Sequence, residues 1–390
     1  MSEKRAYRIG IIGFGMIGKV HAWAHENLKY YLEDAGFETR IVRVCTAHEE
    51  TARAAAEFLG TAEPTTDFRA VTEAEDIDIV HICSPNADHA RQLLSAMKAG
   101  KHVYCDKPLV ASREETESIR DALSAYEGIM GVTFQNRFFP AVIMAKHLIE
   151  DGFLGDLLSF RAAYLHSGSA DPDAPLKWKM TASAGGGVLA DLGSHVIDLV
   201  SDLAGPIEEL VAHRQQAFEQ RPDPKDPGSL VDVDAEDDVM LLARVRSKTG
   251  LEEKTVAGTI EASKIATGAE DELRFELSGV NGAIRFNSLR PGVLETFDAQ
   301  GVRVSESELH GWTAFDVNRR FEPPATQFPG KKFAIGWPRS HSACLAAYMK
   351  AVHAGTEFHP NAVDGLYVQR VMEACRRSWK SGSFERVLQV

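Results

Sequence analysis

Long apolar runs are missing from this chain of 390 residues. No uncharged apolar stretch reaches the roughly 18 residues that a membrane-spanning helix needs, so that class is excluded. Cysteine is scarce and unpatterned. Cys45, Cys83, Cys105, Cys344 and Cys375 contain no CxxC pair and are odd in number. Reduced thiols in a cytoplasmic protein fit this better than a disulfide framework. Positive charge is in deficit: 43 Lys and Arg stand against 56 Asp and Glu, a net charge of −13. That deficit argues against nucleic acid and anionic membrane as partners. No signal-peptide apolar segment precedes the first strand pattern, so the expected location is the cytoplasm. Internal repeats and low-complexity tracts are absent too. What remains is ordinary globular composition, 44% hydrophobic and 25% charged, in a length suited to two domains.

The first half alternates short apolar runs with helical patterns, which predicts a doubly wound parallel sheet. Arg8-Ile9-Gly10-Ile11-Ile12 reads as the first strand. Gly13-Phe14-Gly15-Met16-Ile17-Gly18 follows at once and opens a helix, the context that gives a GxGxxG turn meaning. Gly13 allows the tight turn, Gly15 lets a pyrophosphate approach, and Gly18 lets helix and strand pack closely. The second strand, 41–44, lacks the acid that commonly bonds a ribose. Thr46 and His48 stand there instead, with Glu49 entering the next helix and no Arg placed for a 2′-phosphate. A 2′-phosphate left unpaired costs more than a ribose hydroxyl bonded by Thr46 or His48, so NAD is favoured over NADP, without excluding NADP. A strand at 78–82 ends in Ser84-Pro85-Asn86 and His89. A strand at 102–104 ends in Cys105-Asp106-Lys107-Pro108. Pro108 has no N–H and biases Lys107 away from helix, so the strand ends in an extended turn. Lys107 is thereby carried beyond the carboxyl ends of the strands, where ligands of such sheets bind. Ser112 and Glu115 form a capping-box pattern ahead of a helix at 112–126.

Past Gln135-Asn136-Arg137 the pattern changes. Strand-like stretches at 157–165, 209–215, 239–245, 255–262, 272–278 and 283–287 lack intervening helices, which predicts an α+β half with a mostly antiparallel open sheet. The expected division is therefore 1–133 for dinucleotide binding and 134–390 for substrate binding and oligomerisation. A polar loop over 166–179 carries Trp178. Gly185-Gly186-Gly187 then leads an amphipathic helix on which Asp191, His195 and Asp198 share one face. Two chemistries suit that stripe: hydroxyl binding with proton transfer, or an Asp-His-Asp metal site. A sheet face without helices exposes apolar side chains, so a dimer or tetramer is expected.

These motifs together resemble the Gfo/Idh/MocA oxidoreductases (the glucose–fructose oxidoreductase, inositol dehydrogenase and rhizopine catabolism family) over essentially the whole chain. The residues that carry the likeness are Gly13 to Gly18, Ser84-Pro85-Asn86 with His89, Cys105-Asp106-Lys107-Pro108, and Gly187 through Asp191 to His195. Asp106 stands where the family usually has Glu. Stretches around 169–178 and 231–234 look most like the levoglucosan dehydrogenase-like members. The resemblance implies hydride transfer between a nicotinamide and a secondary alcohol of a sugar or polyol. It also displaces the metal reading. It implies Lys107, Asp191 and His195 as the catalytic set, with Arg137 and Trp178 beside them for substrate. It implies Gly13, Phe14, Gly15, Met16, Ile17, Thr46, His48, Ser84, Pro85, Asn86, His89, Asp106, Lys107 and Asn136 for the cofactor. Two alternatives share the fold: redox-neutral glycoside processing with a retained cofactor, and a non-enzymatic dinucleotide sensor.

Overall fold

The computed structural model describes residues 4–32, 35–60, 62–226, 228–250, 254–304, 307–309, 311–317 and 336–388. Six parallel strands form the first sheet: β1 (Arg5–Ile12), β2 (Phe37–Cys45), β3 (Glu63–Thr65), β4 (Ile79–Ile82), β5 (His102–Cys105) and β6 (Met130–Val132). Their order, β3-β2-β1-β4-β5-β6, places the strand switch between β1 and β4. A ligand cleft belongs at that point. The strands alternate with α1 (Met16–Tyr31), α2 (Glu49–Leu59), α3 (Arg69–Thr72), α4 (Asn86–Lys98) and α5 (Arg113–Leu123). The start of α5 is the capping box, with Glu115 N–H donating to Ser112 Oγ and Ser112 N–H to the Glu115 carboxylate.

The second sheet has nine strands, ordered β18-β15-β14-β13-β7-β12-β11-β8-β19. These are β7 (Leu157–Leu165), β8 (Ile207–Gln215), β11 (Asp238–Arg246), β12 (Thr255–Ser263), β13 (Glu272–Gly279), β14 (Gly282–Asn287), β15 (Val293–Asp298), β18 (Thr313–Asp316) and β19 (Glu385–Arg386). Among the described strands of this sheet, only β7 and β12 pair in parallel. The small hairpins β9 (Gln220–Pro222) with β10 (Leu230–Asp232) and β16 (Val302–Val304) with β17 (Ser307–Leu309) stand apart. Along β11 and β12 buried and exposed residues alternate, the signature of a sheet covered on one side. The covered side packs on α6 (Pro140–Glu150), α7 (Ser194–Leu203) and α9 (Ala362–Ser381) through Phe160, Val239, Leu241, Ile260 and Phe275.

The expected cut at residue 133 separates the sheets but not the packing. Helix α8 (Trp337–Ala354) returns to the first sheet. Its Cys344, Leu345, Tyr348 and Met349 share a core with Tyr7, Ile9 and Ile11 of β1 and with Ala24 and Leu28 of α1. α8 is buried along much of its length, so local periodicity could not say which sheet it would cover.

Between α1 and the sheet lies a row of buried histidines. His81 of β4 stands between two from α1, with Nδ1 3.0 Å from His21 Nδ1 and Nε2 3.0 Å from His25 Nε2. His25 reaches on to Thr39 at 3.2 Å, and the Cys83 thiol lies 3.2 Å from His21. Burial holds all three imidazoles below their ordinary pKa, His21 at about 4 and His25 at about 3.

Candidate active site

A cleft of about 1000 Å³ runs from the β1–α1 turn, across the ends of β4 and β5, to the near end of the second sheet. Gly13 needs its left-handed φ of +89°, and a Cβ there would sit 2.5 Å from the Cys83 carbonyl. At Gly15 the opposite holds: a Cβ would meet nothing within 4 Å, because the space faces the cleft. Gly15 is the N-cap of α1, and no side chain caps that end. The first N–H groups of α1 are thus aimed at an open space of the kind a phosphate fills. Phe14, Met16, Ile17, Thr46, Ser84, Pro85, Asn86 and Asp106 also line the cleft.

Three expected cofactor residues lie elsewhere. His89 is fully buried, its ring nitrogens 3.0 Å from Pro108 O and 2.9 Å from Ser84 O. It ties the β4 and β5 loops together from behind. His48 is the N-cap of α2 and offers its backbone carbonyl to the Thr46 and Thr51 hydroxyls. Asn136 is buried off the cleft wall, and Gln135 takes the lining position.

Lys107 and Asp191 meet at the centre of the cleft. Lys107 Nζ donates to the Asp191 backbone carbonyl at 2.6 Å and to its Oδ1 at 3.2 Å. Two further lysines hold the same carboxylate: Lys179 at Oδ1 and Lys264 at Oδ2, both 2.8 Å away. Burial alone would raise the Asp191 pKa. The three ammoniums outweigh it and keep the carboxyl well below its usual range. One turn on, His195 is 5% exposed, edge-on to Phe134 and Tyr164. Burial first, then the Lys107 charge, push its pKa well below the ordinary value, so it is a neutral base at neutral pH. Its Nδ1 is buried without a hydrogen-bond partner among the described residues. Tyr164 donates to Asp271 at 2.7 Å, and Trp178, Trp337 and His341 complete this end.

The local backbone explains how Asp191 arrives there. Residues Leu189–Gly193 form a π-helical turn before α7 begins. Glu236 caps that turn, its carboxylate accepting from Leu189 N–H at 3.1 Å. The wider turn breaks the single stripe expected for Asp191, His195 and Asp198. Asp198 instead takes Arg137 in a two-pronged ion pair at 2.5 and 2.8 Å, and Arg137 also reaches Asp202 and Asp364. Arg137, expected beside the substrate, instead forms a buried tie between the β6 loop, α7 and α9 and is not among the residues lining the cleft. Lys179 and Lys264 were missed. Lys179 directly follows Trp178, and Lys264 directly follows a strand that ends at the cleft, which was the available signal.

Comparison with known proteins gives one consistent answer. Residues 7–134 match the model of an oxidoreductase family with an NAD-binding Rossmann fold, and 142–285 match the GFO/IDH/MocA C-terminal domain. Levoglucosan dehydrogenase of Pseudarthrobacter phenanthrenivorans is 30% identical over 98% of both chains. Inositol 2-dehydrogenase of Rhizobium meliloti is 27% identical over 95% of this chain and 96% of its own. A structure of levoglucosan dehydrogenase with NADH and levoglucosan superposes with a TM-score of 0.89 at 30% identity, covering 99% of this chain and 100% of the other.

Proposed function

The chain belongs to the GFO/IDH/MocA oxidoreductase family, and on that premise we propose that it is an NAD-dependent dehydrogenase of a secondary alcohol in a sugar or polyol. The observation that carries this is the meeting of Lys107, Asp191 and neutral His195 in the cleft that begins at the Gly13–Ile17 turn. That turn and the start of α1 would hold the pyrophosphate, Thr46 the ribose end, and Ser84, Pro85, Asn86 and Asp106 the nicotinamide half. Bound NAD supplies the hydride acceptor. The chain's own residues handle the proton. Lys107 places a cation where the substrate oxygen gains negative charge. His195, neutral and buried, accepts the hydroxyl proton. Asp191 orients the hydroxyl and Lys107 together, and Trp178 walls the substrate end. A screen of sugars and polyols with NAD, followed by absorbance of the reduced nicotinamide, tests this. Turnover of at least one neutral sugar or cyclitol is expected, and none from any sugar or polyol would overturn it.

The uncovered face of the nine-stranded sheet presents Leu158, Met240 and Leu242 at 61%, 52% and 44% exposure. We infer that it forms a symmetric homodimer or homotetramer contact, because such apolar side chains on a sheet face mark an interface. Light scattering at micromolar concentration tests this, and a monomer mass would reject it.

A further inference from the structure

Asp191 is one carboxylate shared by three lysines, and two of those are not required to place Lys107. Lys107 and Lys179 share Oδ1, while Lys264 holds Oδ2 on the other edge of the carboxylate. The side chains of Lys107 and Lys264 are only 10% and 12% exposed, and that of Lys179 is 37% exposed. Lys177 lines the same end of the cleft. Among the described residues, Asp191 and Asp271 are the carboxylates at this end, and Asp271 accepts from the Tyr164 hydroxyl. Asp106, Asp88 and Arg91 also line the cleft, with Arg91 and Asp88 paired to each other at 2.7 Å. Among the described residues the cleft is thus lined by four lysines and Arg91 against Asp88, Asp106, Asp191 and Asp271, one positive charge in excess, in a chain whose net charge is −13.

Two nearly buried ammoniums, Lys107 and Lys264, share the single carboxylate of Asp191, and a cleft that keeps such an excess is complementary to an anion. A transient alkoxide does not account for it, since Lys107 alone can face that oxygen. The pyrophosphate of the cofactor does not account for it either, because its space lies at Gly15. We propose that the substrate is a sugar acid, a ring or open-chain polyol bearing a carboxylate, and that Lys179 and Lys264 recognise that carboxylate. A carboxylate is favoured over a phosphate because, among the described residues, no arginine lines the lysine end of the cleft and the open helix start lies at the opposite end. This rests on the dehydrogenase reading and narrows its substrate class.

The test uses the full-length protein with D-glucuronate, D-galacturonate, their neutral methyl esters, D-glucose and D-glucose 6-phosphate. Two quantities are read: kcat/KM with NAD, and calorimetric affinity for the same compounds without turnover. At least one acid should exceed its own methyl ester by about tenfold or more in both. Added salt should shrink that ratio. Lys264→Met and Lys179→Met should each cut the acid-to-ester ratio several-fold, and Lys264→Arg should restore part of it. If these lysines served only to brace Asp191, both members of a pair would weaken together and the ratio would hold, which overturns the proposal. Equal or better use of the esters and glucose would overturn it while leaving the dehydrogenase reading intact. Preference for glucose 6-phosphate would overturn the carboxylate assignment. NADH formation from none of these compounds, and binding of none, would overturn the sugar-acid assignment, whereas the dehydrogenase reading falls only if the wider screen of sugars and polyols also gives no NADH.

Discussion

Lys107 sits 9% exposed between a strand end and Asp191, and it is the residue whose replacement says most. Lys107→Met keeps the stem and removes the charge. Loss of charge stabilisation at the substrate oxygen should lower kcat by about 10²-fold or more. NADH affinity should change far less, because the phosphate space lies at the far end of the cleft. Titration fluorescence and steady-state kinetics on one preparation check both, and normal turnover would reject the role. His195 carries a pH signature. With its pKa held below the ordinary value, it stays neutral as pH falls through 6.5, so kcat/KM should remain level there and drop only at lower pH. His195→Asn should remove that drop. Arg137 carries a stability signature. Arg137→Met leaves Asp198, 2% exposed, without its partner and should cost about 3–5 kcal/mol of stability by denaturant titration. A raised KM at unchanged stability would restore the substrate role. Lys107 and its turn were legible because Pro108 and the strand ahead of it are local signals. Arg137 was not, because its three carboxylates come from residues 61, 65 and 227 positions away in sequence.

Among the elements, the β1–α1 unit is the most fully written into local sequence. An apolar strand, a turn that needs Gly13, and a helix started by Gly15 follow each other without a break. Gly13→Ala must place a Cβ against the Cys83 carbonyl at positive φ, at a cost of about 1–3 kcal/mol. Its melting temperature should fall and NADH should bind more weakly, whereas Gly15→Ala should fold normally and lose NADH affinity alone. NADH affinity in Gly15→Ala equal to that of the unaltered protein would refute the assignment of that space to a phosphate. The α5 capping box was equally legible, being a contact between neighbours. The π turn at Leu189–Gly193 was not. Its trigger is Glu236, some forty-seven residues on, which holds Leu189 N–H and fixes where the wider turn falls. A helical wheel assumes one period throughout, so it placed Asp198 beside Asp191 and His195, and the wheel failed where the period changed.

Across the whole molecule, the buried histidine row sets the response to acid. His21 and His25 have folded pKa values of about 4 and about 3 against an ordinary 6.5. Between those limits the unfolded chain binds protons that the folded chain refuses. Their contribution is therefore complete above pH 6.5 and is lost as pH falls toward the folded values, by about 1.4 kcal/mol per pH unit for each. Melting temperature should decline steadily from pH 6.5 to 4.5, and His25→Gln should reduce the slope. A flat profile over that window would contradict the neutral row. The two-sheet architecture was readable from strand spacing. The return of α8 to the first sheet was not, since nothing near residues 337–354 names Tyr7 or Ile9 as its partners. That return has a consequence in time. During synthesis the six parallel strands emerge first, but the surface that Leu345, Tyr348 and Met349 cover stays bare until more than two hundred further residues have been made. A nascent chain halted between the two sheets would display Ile9, Ile11 and Tyr7 to whatever chaperone stands at the exit, and the earliest unit of the molecule stays open until α8 has been made.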